Sequence, residues 1–559
     1  MAAMTATAAG QPAMDPDDPG FGEAETRGTA VRGTAAPAAE RIAALSARLV
    51  TPMPDDRLWG WIGPLLVTLF AGFLRFYRLS VPNAIIFDET YYTKDAWSIL
   101  QHGVEWNIIN SSVANPMIIA GHDNIFQLPC SGSGCGEYVV QPEVGKLLIA
   151  VGEWFYGLTS FGWRFAPAVI GTLAILVMCR VVRRLTRSTL LGCLAGLLLS
   201  LDGLEFVLSR TGILDIFLMF FVLAAFGCLV VDRDVSRLRL AEAVVLERSD
   251  QAGPGVGIRK WRIAAGICLG LAGGTKMDAV WYVPAFIALC LAWDIGARRT
   301  AGLRNYIRGA LVRDGKWLPL TLGVIPFVTY LATWSGWLFT STGYDRNYAQ
   351  VNGVNTPVIS ALYSLYEYHR EILQFMTTLS THHPYESQPW DWFVISRPVA
   401  FYWQSYTDAS GLHQAASGTT GPYVQEVLAI GNPAIWWVSI PALLFCLGWW
   451  LTRRDWRAGA AVLGLLAGWA TWLPWPSRTK FFYYALEFEP FIIIAIVLCL
   501  GLIIGPATAS LRRRAIGATL TGIYVLAVLI LFWYFYPILA GKIIPYQDWY
   551  NHMWYTGWI

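Results

Sequence analysis

Long apolar runs, nearly free of charge, recur along this chain and are separated by short polar breaks. They begin at Trp59–Arg75 and continue at Gly162–Met178, Thr189–Leu208, Ile213–Val231, Ile263–Ala279 and Val280–Trp293. Further runs follow at Leu318–Phe339, Ala434–Trp450, Ala458–Trp475, Phe488–Ile504 and Ala515–Tyr536. A helix rises about 1.5 Å per residue and the hydrocarbon of a bilayer is about 30 Å thick, so these runs predict about eleven membrane spans. The expected fold class is an all-α polytopic membrane protein. Two long polar and aromatic segments, 80–161 and 340–431, interrupt the pattern and read as large loops on one side of the membrane.

Composition agrees with the pattern, because 559 residues that are 55% hydrophobic and only 14% charged do not make a soluble protein. The net charge of +3 says little; the placement of the 41 Lys and Arg residues says more. Clusters at Arg180/Arg183/Arg184/Arg187, Arg233–Arg262, Arg298–Lys316, Arg453/Arg454/Arg457 and Arg512–Arg514 fall on alternate sides of the spans. Cytoplasmic loops carry such excess, which places the N-terminus inside, the C-terminus outside and both large loops on the external face of a cell membrane. Residues 1–50, rich in Ala, Gly, Pro and Asp, read as a disordered cytoplasmic tail with the first span as targeting signal. Residues 51–339 then form an N-terminal transmembrane domain, 340–431 a second external loop, and 432–559 a C-terminal transmembrane domain with an external tail.

Cys130 and Cys135 flank Ser131-Gly132-Ser133-Gly134 on the outer side, where a short disulfide loop can form. No His or Cys group has zinc-ligand spacing, and neither a glycine-rich phosphate loop nor a basic nucleic-acid stripe is present, so neither metal, cofactor nor nucleic acid is expected.

Chemistry is suggested first by Asp88 and Glu89, an acidic pair directly after the first span in Phe87-Asp88-Glu89-Thr90. Carboxylates beside a bilayer lose hydration and need a reason to be there. Adjacent residues on a helix diverge by about 100°, so the two cannot share one target; one acts and the other supports. Asp88 is the candidate base and Glu89 the supporting acid, the plainer reading being that both cap a surface helix. Cations sit at outer span ends against the charge bias: Arg75, Lys146, Arg164, Arg210, Lys276 and Arg478, with Tyr483 close to the last. Singly, each reads as a side chain snorkelling to headgroups or, for Arg210 with Asp215 and Lys276 with Asp278, as a local ion pair. Together they suit a phosphate, which Arg binds bidentately and Lys as a point charge. An acid among such cations suggests transfer of a group from a lipid phosphate to a hydroxyl arriving from outside, the acid taking the hydroxyl proton.

The motifs Phe87-Asp88-Glu89, Gln141-Pro142-Glu143-Val144-Gly145-Lys146, Gly162-Trp163-Arg164-Phe165, Ser209-Arg210 to Asp215, and Arg478 to Tyr484 occur in one order over nearly the whole chain. In them the chain resembles the protein O-mannosyltransferase family, most closely its actinobacterial members. The resemblance implies a GT-C glycosyltransferase that moves mannose, with inversion, from a polyprenyl-phosphate-mannose lipid donor to Ser or Thr of secreted acceptor proteins. It implies roles for Asp88 and Glu89 at the catalytic centre, for Arg75 and Arg164 near the donor, and no metal. Acceptors of that kind make contact with the secretion machinery an expectation. The family often has His-Pro-Pro or His-Pro-Glu where this chain has Gln141-Pro142-Glu143, so no role for that His carries over. Residues 340–431 are also too few for the β-trefoil domain of eukaryotic members.

Two other readings stay open. A GT-C transferase of another polyprenyl-phosphate sugar to a lipid or glycan would share the phosphate and hence the cations. A lipid-linked sugar transporter would place its charges near mid-bilayer, whereas the conspicuous charges here cluster at outer span ends.

Overall fold

The computed structural model describes residues 37–247 and 250–559. Among them, seven helices are long and apolar enough to cross a membrane: Trp59–Phe76, Ser160–Thr186, Asp215–Leu246, Met277–Thr300, Pro433–Arg453, Phe482–Ile504 and Leu511–Leu539. The expected count of about eleven is therefore not established. At the four remaining positions the helices are shorter or interrupted, each for a local reason. The 189–208 run breaks after Ser200, where Asp202 turns its carboxylate to the Leu204 N–H and starts a new helix, Gly203–Leu208. The 263–279 run stops at Gly273-Gly274, and Lys276 is extended. The 318–339 run lies in a helical path from Tyr306 to Thr333 with two π turns, and the 458–475 run ends in a 3-10 turn at Ala470–Trp472.

Most of the proposed cytoplasmic tail, residues 1–36, lies outside the described residues. Its last part is not disordered: Ala38–Leu49 forms a helix, α1. Leu49 is buried against Leu240, Ala241 and Ala297, and Arg237 donates to the Leu49 carbonyl at 3.0 Å. The composition that reads as disorder covers a helix that can bury one apolar edge.

Asp215–Leu246 and Phe482–Ile504 are buried along most of their length and form the centre of the bundle, while Leu511–Leu539 and Trp59–Phe76, hereafter α2, leave most of their surface uncovered. The first large loop folds into helices, among them Glu89–His102 (α3), Ser111–Ile119 and Val144–Tyr156, and contains the Cys130–Cys135 disulfide. The second large loop adds β structure to an otherwise helical molecule. Strands Val399–Tyr406 (β1) and Tyr423–Ala429 (β2) pair antiparallel, and Ile543–Pro545 (β3), beyond the last span, pairs with β2. The C-terminal tail and the 340–431 segment thus share one sheet, which packs against the end of the bundle where α3 begins.

Candidate active site

α2 ends at Phe76, and the chain turns back through Tyr77–Ile86 before α3 starts at Glu89. The turn is held mainly by two arginines. Arg210 donates to the carbonyls of Leu74, Arg75, Tyr77 and Arg78 at 2.6–3.1 Å, satisfying the open C-terminal carbonyls of α2. Arg164 donates to the Pro82 and Ala84 carbonyls at 2.8 and 2.9 Å and grips Glu89 with two bonds, Nε to Oε1 at 2.7 Å and Nη2 to Oε2 at 2.9 Å. Glu89 also accepts from the Ile86 and Gly212 backbone N–H groups at 3.0 and 2.9 Å and is fully buried. Both its oxygens are occupied by the protein itself.

Asp88, one residue earlier, has a different environment. It sits at the N-terminus of α3 without capping it, and its Oδ2 lies 3.5 Å from the Tyr483 hydroxyl. Burial pushes its carboxyl up to about 6, with Asp215 adding to the rise and Lys276 opposing it. Lys276 reaches Asp88 because its helix has just ended at the glycine pair; its ammonium pairs with Asp215 at 2.9 Å and lies 4.8 Å from the ring centre of Tyr484 and 6.0 Å from that of Tyr483. The charges of Lys276 and Arg478 both reach Tyr484 and Asp278.

Next to this cluster lies an apolar cavity of about 570 Å³ lined by Leu269, Val283, Leu322, Phe327, Leu373, Met376 and others, with Asp278 and Arg478 among its few charged lining groups. Val280, Trp281 and Phe327 in its wall are exposed on the outside of the bundle, so it borders the surface that lipid would cover. Arg478 is half-buried there, stacked 4.9 Å from the Trp472 ring centre, with Nε on the Met376 carbonyl at 2.8 Å.

The cations picked out in the sequence thus separate into two groups. Lys276 and Tyr483 lie around Asp88, and Arg478 lines the cavity next to them. Arg75, Arg164, Arg210 and Lys146 do not. Arg75 is fully buried and paired with Glu205; Lys146 is fully buried, paired with Glu105 and 3.8 Å from Glu143; Arg164 and Arg210 tie the turn described above. The suggested local pairs also fail, since Asp215 pairs with Lys276 rather than Arg210, and Asp278 Oδ1 is buried without a hydrogen-bond partner among the described residues. Tyr484 was not among the residues the sequence singled out, and Asp215 and Asp278 entered only as ion-pair partners. The missing signal was which spans pack together, which local spacing does not carry.

Residues 65–335 match the dolichyl-phosphate-mannose-protein mannosyltransferase family, and residues 361–558 match the C-terminal four-transmembrane region of protein O-mannosyltransferases. The polyprenol-phosphate-mannose–protein mannosyltransferase of Mycobacterium tuberculosis is 39% identical over 519 residues, covering 90% of this chain and 93% of that one. The chain belongs to the protein mannosyltransferase family. The Mycolicibacterium smegmatis mannosyltransferase of the same description is 36% identical over 526 residues, covering 91% of this chain and 96% of its own length. Among solved structures, the Saccharomyces cerevisiae protein O-mannosyltransferase Pmt1–Pmt2 complex bound to the sugar donor superposes with a TM-score of 0.65 at 13% identity, covering 93% of this chain and 94% of that one, a likeness of fold. This family member is a multi-pass membrane glycosyltransferase of GT-C architecture.

Proposed function

We propose that this protein transfers mannose from a polyprenyl-phosphate-mannose donor to Ser or Thr hydroxyls of secreted proteins, with inversion, at the external face of the cell membrane. The observation that carries the proposal is the placement of Asp88 beside Lys276 and Tyr483, in a cluster that adjoins, through Asp278 and Arg478, a cavity with apolar walls. An apolar cavity bordering the lipid face suits a polyprenyl chain, and the cations suit its phosphate. The acceptor oxygen attacks the anomeric carbon, the bond from that carbon to the phosphate oxygen breaks, and Asp88 takes the hydroxyl proton. Lys276 and Arg478 meet the charge growing on the departing phosphate, in a dry site where such contacts are strongest. Glu89 and Arg164 keep the turn in shape and touch neither substrate.

The external placement is supported by the disulfide, which shares the 80–161 segment with Asp88 and needs an oxidising compartment. Arg183 and Arg184 lie at the opposite end of the Ser160–Thr186 helix from Arg164. On this reading acceptors meet the site as they emerge from the secretion machinery.

The test is transfer of labelled mannose from a polyprenyl-phosphate donor to a Ser/Thr-rich peptide in reconstituted vesicles. Asp88→Asn should lower turnover by at least about 10³-fold, the upper part of the range for general-base catalysis, with insertion unchanged. Full activity in that variant rejects Asp88 as base, and label found only in lipid rejects the protein acceptor.

A further inference from the structure

Phe87, the residue before Asp88, has φ +44°, a left-handed backbone that a bulky side chain rarely adopts and that surrounding structure must hold in place. Three rings surround that point. Phe401 lies flat against Phe87, with ring centres 4.5 Å apart and planes within 5° of parallel. Tyr483 sets its edge against both, at 5.4 Å from Phe87 and 5.7 Å from Phe401, and its hydroxyl is the group that reaches Asp88. Phe401 and Tyr483 are each about 4% exposed, so the two rings packed on the half-buried Phe87 are closed to solvent.

Phe401 comes from the second external segment and reaches this position through an irregularity in its strand. In β1, Ala400 pairs with Leu428 and Tyr402 with the next residue of β2, Val427, leaving Phe401 without an opposite number. An extra residue of this kind bends a strand and re-aims a side chain, and such bulges concentrate beside active sites.

We propose that Phe401 is a positioning residue for mannosyl transfer: the β1 bulge lays its ring on Phe87, holding the left-handed turn that points Asp88 at the acceptor. The proposal rests on Asp88 as base. It makes the second external segment part of the catalytic apparatus as well as a surface over it. Asp88 is otherwise faced by Lys276, Asp215, Tyr483, Tyr92 and Tyr484, none of which a change at Phe401 removes.

The experiment compares Phe401→Leu, which keeps most of the volume but has no flat face, with Phe401→Tyr, which keeps the ring. Full-length protein is reconstituted and activity is expressed per folded molecule after size exclusion. Phe401→Leu should lower kcat about tenfold or more, the loss produced by roughly 1.4 kcal/mol of barrier, with KM for the donor within twofold. Its acid limb in the pH–rate profile should move toward lower pH as water reaches Asp88. Phe401→Tyr should restore both within threefold. A Phe401→Leu enzyme with wild-type kcat and acid limb per folded molecule, whatever its yield or thermal midpoint, overturns the proposal and leaves Phe401 as core filling. Asp88→Asn is assayed alongside: activity there rejects the base assignment beneath the proposal, whereas an inert Asp88→Asn with an unaffected Phe401→Leu rejects the role of Phe401 alone.

Discussion

Asp88 and Glu89 share a chemistry and are separated by one peptide bond, yet one carboxylate has every oxygen engaged and the other meets the Tyr483 hydroxyl at only 3.5 Å. Burial raises the Asp88 carboxyl to about 6. A base must be deprotonated to act, so turnover should fall as pH drops through about 6 and level off above it; an acid limb at the ordinary carboxylate position, near pH 4, counts against Asp88. Lys276→Ala and Arg164→Ala should part company. Breaking the buried Arg164–Glu89 pair leaves an uncompensated charge and should destabilise the protein by about 3–5 kcal/mol, read as a drop in thermal midpoint in detergent. Lys276→Ala should instead weaken donor use. If Arg164→Ala inserts with unchanged stability and raises only the donor KM, Arg164 belongs with the phosphate after all.

At the scale of elements, the site is assembled from chain ends rather than chain middles. α2 ends under Arg210, α3 begins just after Asp88, Asp215 opens its helix, and Lys276 occupies the gap left where Gly273-Gly274 stops another. Charged groups reach one depth because four helices terminate there. Arg210→Ala strips the α2 C-terminus of its donor and leaves the buried Leu74 and Arg75 carbonyls without it, at about 1–3 kcal/mol for each one left unsatisfied. The expected result is a lower thermal midpoint and a lower kcat through the displaced turn, with the donor KM little changed; a pure KM effect would place Arg210 at the phosphate instead.

For the whole molecule, the cavity beside Arg478 is where the proposed reading places the lipid chain of the donor. Gly323 lines it, and a Cβ added there meets nothing within 4 Å, so Gly323→Phe can start a ring into the cavity without a clash at its first carbon. That variant should raise KM for a long-chain polyprenyl donor about tenfold, an affinity loss of roughly 1.4 kcal/mol, and affect a short-chain analogue much less. Equal kinetics for both donors in wild type and variant would remove the polyprenyl chain from this cavity.

What was legible in the sequence follows from a solvent that tolerates few alternatives. Hydrocarbon demands apolar residues for the length of a span and a helix to satisfy the backbone, so Trp59–Phe76, Asp215–Leu246 and Leu511–Leu539 could be read directly from composition along the chain. Helical geometry likewise separates Asp88 from Glu89 whatever surrounds them. The interruptions, by contrast, depended on single residues, Asp202 and the glycine pair at Gly273, whose effect hydropathy alone does not register. Ionic partners were least legible. Arg164 takes Glu89, Arg75 takes Glu205 and Lys276 takes Asp215, all far apart in sequence, because a buried charge pairs with whatever opposite charge packing brings within reach. The sequence by itself determined a helical membrane enzyme with an acid and cations at its span ends. Only the tertiary structure decided which cations face Asp88 and which hold the frame, since in a low-dielectric interior that choice belongs to the packing of the helices.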